Sequence, residues 1–295
     1  MEETVKKAIL PVAGLGTRFL PLSKVLPKEL WPVVDKPAIQ HILEEAKKSG
    51  INNIIFVTNK NKNEILEYFK EYSKNLKQLL RQRGKKEPLK EVVDFEALIK
   101  DLKITSVIQD KPLGDGHAIL QAASKVKNEP VAVLFGDDIV ESNTPCVQQL
   151  INIYKTCQRP VMALYRMPKE LLSSYGVVAV EKIASRVFKI KNIIEKPAPG
   201  EEPSDLAIVG KYILTPEVFQ FLEKTEPTKK GEIILANAFA NMLQEGKSVY
   251  GYEINGKWLE CGNKLAWKKT DIYLSLKDKK FGPELKYFIK ENKLI

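Results

Sequence analysis

Four short segments of the sequence combine residue types that handle phosphates, hydroxyls and metal ions. The first is Ala13-Gly14-Leu15-Gly16-Thr17-Arg18-Phe19-Leu20-Pro21. Gly14, Gly16 and Thr17 expose several backbone N–H groups, and the missing side chains let phosphate oxygens approach the chain. Arg18 adds a guanidinium that can bind two oxygens at once. Lys28, in Pro27-Lys28-Glu29, supplies a second cation shortly after. No Gly-Lys-Ser/Thr follows, so the loop is not a P-loop, and Phe19 stands where the dinucleotide fingerprint needs a third glycine. An ordinary glycine turn is the competing reading.

The second segment runs Gln109-Asp110-Lys111-Pro112-Leu113-Gly114-Asp115-Gly116-His117-Ala118. The Gln109 amide pairs a donor with an acceptor and can read a base edge of alternating carbonyl and N–H groups. Gly114 and Gly116 let a flat ring lie against the backbone. His117 reads as a structural hydrogen-bonding residue, because chemistry on phosphates alone needs no imidazole here. The third segment is Phe135-Gly136-Asp137-Asp138-Ile139; a carboxylate after an apolar run can hold Mg²⁺ while phosphates complete the octahedron. On this motif alone Asp137 or Asp138 serves equally well as a turn or cap residue. In the fourth, Ile194-Glu195-Lys196-Pro197, Glu195 can accept bonds from sugar hydroxyls and Lys196 can neutralise a sugar phosphate. A surface ion pair ahead of a proline turn is the alternative.

Rigid elements must stand behind these segments. Apolar, strand-like runs at 7–12, 53–58, 105–108, 131–135 and 161–165 alternate with helical spacing at 39–46, 63–72, 116–125 and 145–157. That alternation predicts an α/β fold with right-handed crossovers and a mostly parallel central sheet covered by helices on both faces. In such sheets ligands sit beyond the carboxyl ends of the strands, which points to the residues following Val12, Ile108, Phe135 and Tyr165. Residues 74–103 interrupt the rhythm as a basic, helical insertion. Beyond Gly176 the pattern turns to alternating strands at 177–180, 187–194 and 207–214, then helices at 216–222 and 232–243, a strand at 248–253 and a helical arm from 263. The expected organisation is one domain, made of residues 1–165, a smaller β-rich part at 166–262 and the arm at 263–295.

The 295 residues carry 47 basic and 37 acidic side chains, a formal charge of +10. Hydrophobic residues at 44% and charged residues at 28% are ordinary globular usage, which excludes disordered, collagenous and coiled-coil classes. Three cysteines at irregular spacing support neither a disulfide framework nor a zinc cluster. No apolar run reaches the roughly 20 residues a membrane span requires, and the acidic start is unlike a secretory leader, so a cytoplasmic protein is expected. The basic runs at 74–90 and near the carboxyl terminus read as solvated helix faces, and no nucleic-acid-binding motif accompanies them.

Taken in order, the motifs resemble the bacterial UTP–glucose-1-phosphate uridylyltransferases within the sugar-1-phosphate nucleotidylyltransferase family. The resemblance runs from Pro11-Val12-Ala13-Gly14-Leu15-Gly16-Thr17-Arg18-Phe19-Leu20-Pro21 and Pro27-Lys28-Glu29 through Val34-Asp35-Lys36-Pro37, Gln109 with Gly114-Asp115-Gly116-His117-Ala118, Tyr175-Gly176-Val177 and Glu195-Lys196-Pro197. It continues to Leu206-Ala207-Ile208-Val209-Gly210 and Cys261-Gly262-Asn263-Lys264, which are typical of the UTP–glucose branch. It implies a Rossmann-like nucleotidyltransferase fold, UTP and glucose 1-phosphate as substrates, Mg²⁺ as cofactor, and a homodimer or homotetramer. Residue by residue it implies that Ala13, Gly14, Gln109 and Gly114 hold the uridine, within a nucleotide site that also includes Gly16, Thr17 and Glu29. Arg18 and Lys28 would grip the triphosphate, Asp137 would ligate magnesium, and Gly176, Glu195 and Lys196 would face the sugar phosphate.

The chain also departs from the pattern. Glu260 stands where neighbouring branches carry an aspartate that is a second magnesium ligand, and the extra methylene counts against a second protein ligand here. The segment Gly231-Glu232-Ile233-Ile234-Leu235-Ala236-Asn237 lacks two acids and a threonine usual at this place, and Leu30-Trp31 replaces a common Met-Leu. These departures make a non-catalytic paralogue one competing expectation; a thymidylyltransferase of the same family is the other, because Gln109 would read an edge shared by uracil and thymine.

Overall fold

The computed structural model describes residues 4–60, 62–72 and 74–294. The opening Met1, Glu2 and Glu3, read above as unlike a secretory leader, lie outside them. In chain order the strands are β1 (Lys7–Pro11), β2 (Pro32–Val33), β3 (Lys36–Pro37), β4 (Asn53–Thr58), β5 (Lys103–Ile108), β6 (Val131–Leu134), β7 (Asp138–Glu141), β8 (Val161–Arg166), β9 (Gly176–Ala184), β10 (Val187–Glu195), β11 (Leu206–Leu214), β12 (Tyr250–Glu253) and β13 (Lys257–Glu260).

Nine of them form one sheet in the order β5-β4-β1-β6-β11-β8-β12-β10-β9. β5, β4, β1 and β6 run parallel, β8 and β12 run parallel to each other, and β11 and β10 reverse direction. The inner parallel strands β1, β4 and β6 are mostly apolar on both sides because helices cover both faces, whereas the edge strand β5 is partly polar and exposed. In β1, Ala8 and Leu10 enter one core and Ile9 the other; in β6, Ala132 and Leu134 oppose Val131 and Val133 in the same way. One core is closed by helices Ala38–Lys48 and Cys146–Cys157, the other by Asp115–Gln121, Pro216–Lys224 and Leu235–Gln244. Helix Ala38–Lys48 buries Ile39, Ile42, Leu43 and Ala46, the three-and-four spacing of a single apolar stripe.

Several element boundaries differ from those expected. The 63–72 helix is only Glu64–Tyr68, with Phe69 turning into an aromatic cluster with Phe56 and Phe95. The 116–125 helix splits at Ala122, and the helix expected from 232 begins at Leu235. The insertion is a pair of helices, Lys74–Gln82 and Lys86–Ile99, tied by Lys77 to Glu96 at 2.8 Å; Phe95 and Ile99 dock it to the first core. β7, pairing with β13 outside the main sheet, was not foreseen. Asn263 caps the arm helix Lys264–Lys277 through the N–H groups of Leu265 and Ala266, and a second helix, Gly282–Glu291, follows. Among the described residues no helix is long and apolar enough to cross a membrane.

One buried ion pair joins the halves. Lys211 on β11 is fully buried and meets Glu45 of the first long helix at 2.9 Å; Glu45 also accepts the Val147 N–H at 2.9 Å.

Candidate active site

The loop after β1 is shaped by one glycine and one aromatic anchor. Gly16 takes φ +63°, the left-handed region, and starts a short turn at Thr17–Phe19. Phe19 is buried edge-on against Trp31 at 4.6 Å between centroids, and Trp31 meets Trp267 of the arm at 4.9 Å. With Phe19 fixed inward, its neighbour Arg18 is exposed, and Arg18 Nη1 donates to the Gly262 carbonyl at 3.1 Å. The unusual Trp31 thus fastens the arm to this loop.

At the end of β5, the Gln109 N–H donates to the Thr58 carbonyl at 2.7 Å. Gln109 Nε2 contacts the Gly114 carbonyl and His117 Nδ1, both at 3.0 Å, which fixes the plane of the amide. His117 therefore has the structural role expected of it, and burial lowers its pKa. Gly114 lies at φ +97°, and a Cβ there would stand 2.4 Å from the Ile233 carbonyl oxygen, so only glycine fits. That contact is where the divergent 231–237 segment packs: Asp115 Oδ1 accepts from the N–H groups of Gly116 at 2.7 Å and Leu235 at 3.1 Å.

The two aspartates after β6 divide their work. The Asp137 carboxylate is hydrogen-bonded to Lys28 Nζ, while its carbonyl accepts the Cys261 N–H at 2.7 Å. Asp138 belongs to β7 and turns to Trp258, whose Nε1 donates to it at 2.7 Å. Burial and the adjacent Asp137 charge push the Asp138 carboxyl up to about 7. Burial alone would raise Asp137, but the Lys28 ammonium outweighs it and holds the carboxyl below its usual range. Burial likewise opposes the charge on Lys28, and Asp137 with Glu29 more than offsets it, raising the ammonium pKa.

On the opposite wall, the β9–β10 pairing sets Gly176 opposite Glu195. A Cβ on Gly176 would lie 3.0 Å from Glu195 Oε2. Lys196 adopts φ +51°, its N–H donates to the Tyr175 carbonyl at 3.0 Å, and its ammonium lies 3.4 Å from Glu195 Oε1. Tyr175 in turn donates its hydroxyl to Glu260 Oε2 at 2.6 Å. The other Glu260 oxygen and Asp137 Oδ2 converge: a Cβ on Gly262 would stand 2.7 Å from the first and 3.3 Å from the second.

Two adjoining cavities result. One, of about 410 Å³, is lined by Ala13, Gly14, Gly16, Thr17, Lys28, Glu29, Gln109, Gly114 and Asp137. The other, of about 340 Å³, is lined by Arg18, Lys28, Asp137, Gly176, Glu195, Lys196 and Glu260. Lys28, Asp115, Phe135 and Asp137 border both. Every residue expected to be catalytic or to hold nucleotide, sugar phosphate or metal therefore reaches this double cavity, although Glu29 is only 2% exposed and its carboxylate faces Lys62. Gly116, expected to lie against a flat ring, does not: it is buried, with Leu222 and the Ile233 carbonyl where its Cβ would be. The segment directly after Tyr165 does not reach it; Tyr165 packs against Trp258, and that loop enters the wall only at Ser174. Sequence reasoning overlooked Tyr212, Trp258 and the stretch after β4, where Asn59 and Lys62 lie behind the first loop. The position of that stretch at the carboxyl end of an apolar strand was the available signal.

Comparison with known proteins gives a consistent picture. Residues 7–271 match the family model described as nucleotidyl transferase. A UTP–glucose-1-phosphate uridylyltransferase of Staphylococcus haemolyticus is 43% identical over 287 residues, which cover 97% of this chain and 98% of that protein. Among solved structures, a UTP-bound UGPase from Acinetobacter baumannii superposes with a TM-score of 0.88 at 38% identity, over 98% of this chain and 99% of that one. A UDP-glucose pyrophosphorylase complexed with UDP-glucose superposes with a TM-score of 0.84 at 33% identity, over 93% of this chain and 100% of that one.

Proposed function

The chain belongs to the nucleotidyl transferase family, and on that premise we propose that it moves the uridylyl group of UTP onto glucose 1-phosphate, leaving UDP-glucose and pyrophosphate. The observation that carries this reading is the shared border of the two cavities. A nucleotide seated on Ala13, Gly14, Gln109 and Gly114 and a sugar phosphate seated on Gly176, Glu195 and Lys196 would bring their phosphates together beside Arg18, Lys28 and Asp137.

The chemistry asks for little else. The sugar-phosphate oxygen is ionised at neutral pH and attacks the α-phosphorus in line; the new P–O bond forms as the bond to pyrophosphate breaks. No proton changes hands, so no general base is required. Two polyanions repel each other, and the catalytic task is to hold them in line and offset charge on the α-phosphoryl oxygens and the departing pyrophosphate. Arg18 and Lys28 serve the triphosphate, Lys196 the sugar phosphate, and Glu195 accepts from glucose hydroxyls.

The donor set suits Mg²⁺. Asp137 and Glu260 present hard carboxylate oxygens to one space that a glycine keeps open. Among the described residues no third acidic, histidine or cysteine side chain completes a cluster, which suits an ion that takes its remaining ligands from phosphates and water. Tyr175 holds the longer Glu260 side chain in that direction, so Glu260 would join Asp137 in holding the ion despite its extra methylene. When bound, the ion would neutralise phosphate charge. We read residues 1–165 as the nucleotide half, 166–262 as the sugar-phosphate half and 263–295 as an arm for a homodimer or homotetramer, acting in the cytoplasm.

The test is direct: purified protein with UTP, glucose 1-phosphate and Mg²⁺ should yield UDP-glucose and pyrophosphate in equal amounts. Substituting dTTP decides between uridylyl and thymidylyl transfer, since Gln109 reads an edge common to both bases. Absence of product with either nucleotide contradicts the proposal.

A further inference from the structure

Lys62 lies in the loop after β4, is 9% exposed, and makes contacts that explain how the phosphate loop is held. Its ammonium donates to the Val12 carbonyl at 3.1 Å and to the Gly14 carbonyl, and it lies 3.5 Å from Glu29 Oε2. An ammonium has three N–H bonds, and three oxygens surround this one. Next to it, Asn59 Nδ2 donates to the intervening Ala13 carbonyl at 2.8 Å. The grip is itself braced: the Lys62 N–H donates to the Asn59 carbonyl at 3.1 Å, and Thr58 Oγ1 donates to the Lys62 carbonyl at 2.9 Å.

Three successive carbonyls of the first loop are thus held from one side. In a trans peptide each carbonyl points opposite to the N–H of the next residue. Among the described residues the only cis bond is Leu20–Pro21, so this rule applies across residues 12–15. Gripping the carbonyls of Val12, Ala13 and Gly14 therefore turns the N–H groups of Ala13, Gly14 and Leu15 away from Lys62. Among the described residues none of these three N–H groups donates to a backbone acceptor. Asn59 and Lys62 border an adjoining cavity of about 430 Å³ and are absent from the wall formed by Gly14, Gly16, Thr17 and Lys28.

We propose that Lys62, assisted by Asn59, is a positioning residue for the nucleotide: it fixes the peptide planes of the 12–15 loop so that their N–H groups face the phosphates of UTP, without touching the nucleotide itself. The proposal rests on the nucleotidyl-transfer reading above and adds a residue to it. Because the ammonium is surrounded by protein oxygens, its role is to orient the loop, and the glucose 1-phosphate side should not feel its loss.

The test is the Lys62→Met variant of the full chain, assayed for both substrates together with its thermal melt. The expected result is a cooperative melt, a KM for UTP raised at least tenfold and a KM for glucose 1-phosphate within twofold of wild type. An unchanged KM for UTP overturns the proposal, and so does a parallel rise in both constants, which marks general loosening. Should Lys62→Met fail to fold, Asn59→Ala carries the test: a severalfold rise in the KM for UTP alone supports the proposal and no rise overturns it. Calorimetric titration with UTP separates this inference from the functional reading. If wild type makes no UDP-glucose yet binds UTP more tightly than the variant, the reaction assignment fails and the positioning role stands. Equal affinities overturn the positioning role, and a wild type that binds no UTP overturns both.

Discussion

Lys28 and Asp137, 109 positions apart in the sequence, meet as a hydrogen-bonded ion pair on the border between the two cavities. The same carboxylate is the one proposed to hold magnesium, so the lysine and the ion would share one anionic centre. Asp137→Asn should lower turnover by about a hundredfold or more and raise the magnesium concentration for half-maximal activity at least about tenfold. A magnesium titration checks it; an unchanged midpoint removes Asp137 from the ligand set.

Arg18 is exposed and makes one protein contact that matters to its placement, the Gly262 carbonyl at 3.1 Å. Losing that bond costs the fold little, whereas losing the cation removes charge stabilisation where the phosphates meet. Arg18→Ala should reduce kcat by about a hundredfold to a thousandfold while the thermal melt shifts only slightly. Near-normal turnover would take Arg18 out of the mechanism.

Gly176 is a close fit against Glu195 and Ile208, with an added Cβ 3.0 Å from the carboxylate and 3.2 Å from Ile208. Gly176→Ala should displace Glu195 by a few tenths of an ångström and weaken its bonds to glucose, raising the KM for glucose 1-phosphate by about tenfold or more. The KM for UTP should stay put. Steady-state kinetics with each substrate varied in turn distinguishes this from a change that moves both constants.

Burial raises the Asp115 carboxyl from an ordinary 3.8 to about 6, with the Leu235 and Gly116 N–H groups pulling the other way. The folded chain therefore binds this proton more tightly than the unfolded chain, and its ionisation opposes folding. Its contribution to stability falls as pH rises from near 3.8 through about 6. Asp115→Asn keeps an oxygen acceptor and removes the titration. Thermal melts across that window should show the difference between variant and wild type moving in the variant's favour as pH rises; a difference independent of pH contradicts the assignment.

Local chemistry in the sequence was enough to find the cavity walls. Arg18, Gln109, Asp137 and Lys196 each follow or adjoin a strand, and the two cavities lie beyond the carboxyl ends of β1, β5 and β6. Contacts between distant segments were less legible. Nothing in Phe135-Gly136-Asp137-Asp138-Ile139 says that Asp137 faces Lys28 and Asp138 faces Trp258; the pairing of β7 with β13 decides it. The bond from the Tyr175 hydroxyl, just before β9, to Glu260 at the end of β13 could not be read from the sequence around either residue. Lys62 carries no motif at all, and its role exists only because the β1 and β4 loops pack together.

The account depends most on the claim that both substrates share one cationic border, and a crystal structure with UDP-glucose and Mg²⁺ tests it most directly. The uracil should lie against Gln109 and Gly114, the glucose against Gly176 and Glu195, and the diphosphate between Arg18, Lys28 and Lys196. A diphosphate seated away from those three cations, or a sugar lodged outside the wall formed by Gly176 and Glu195, would contradict it.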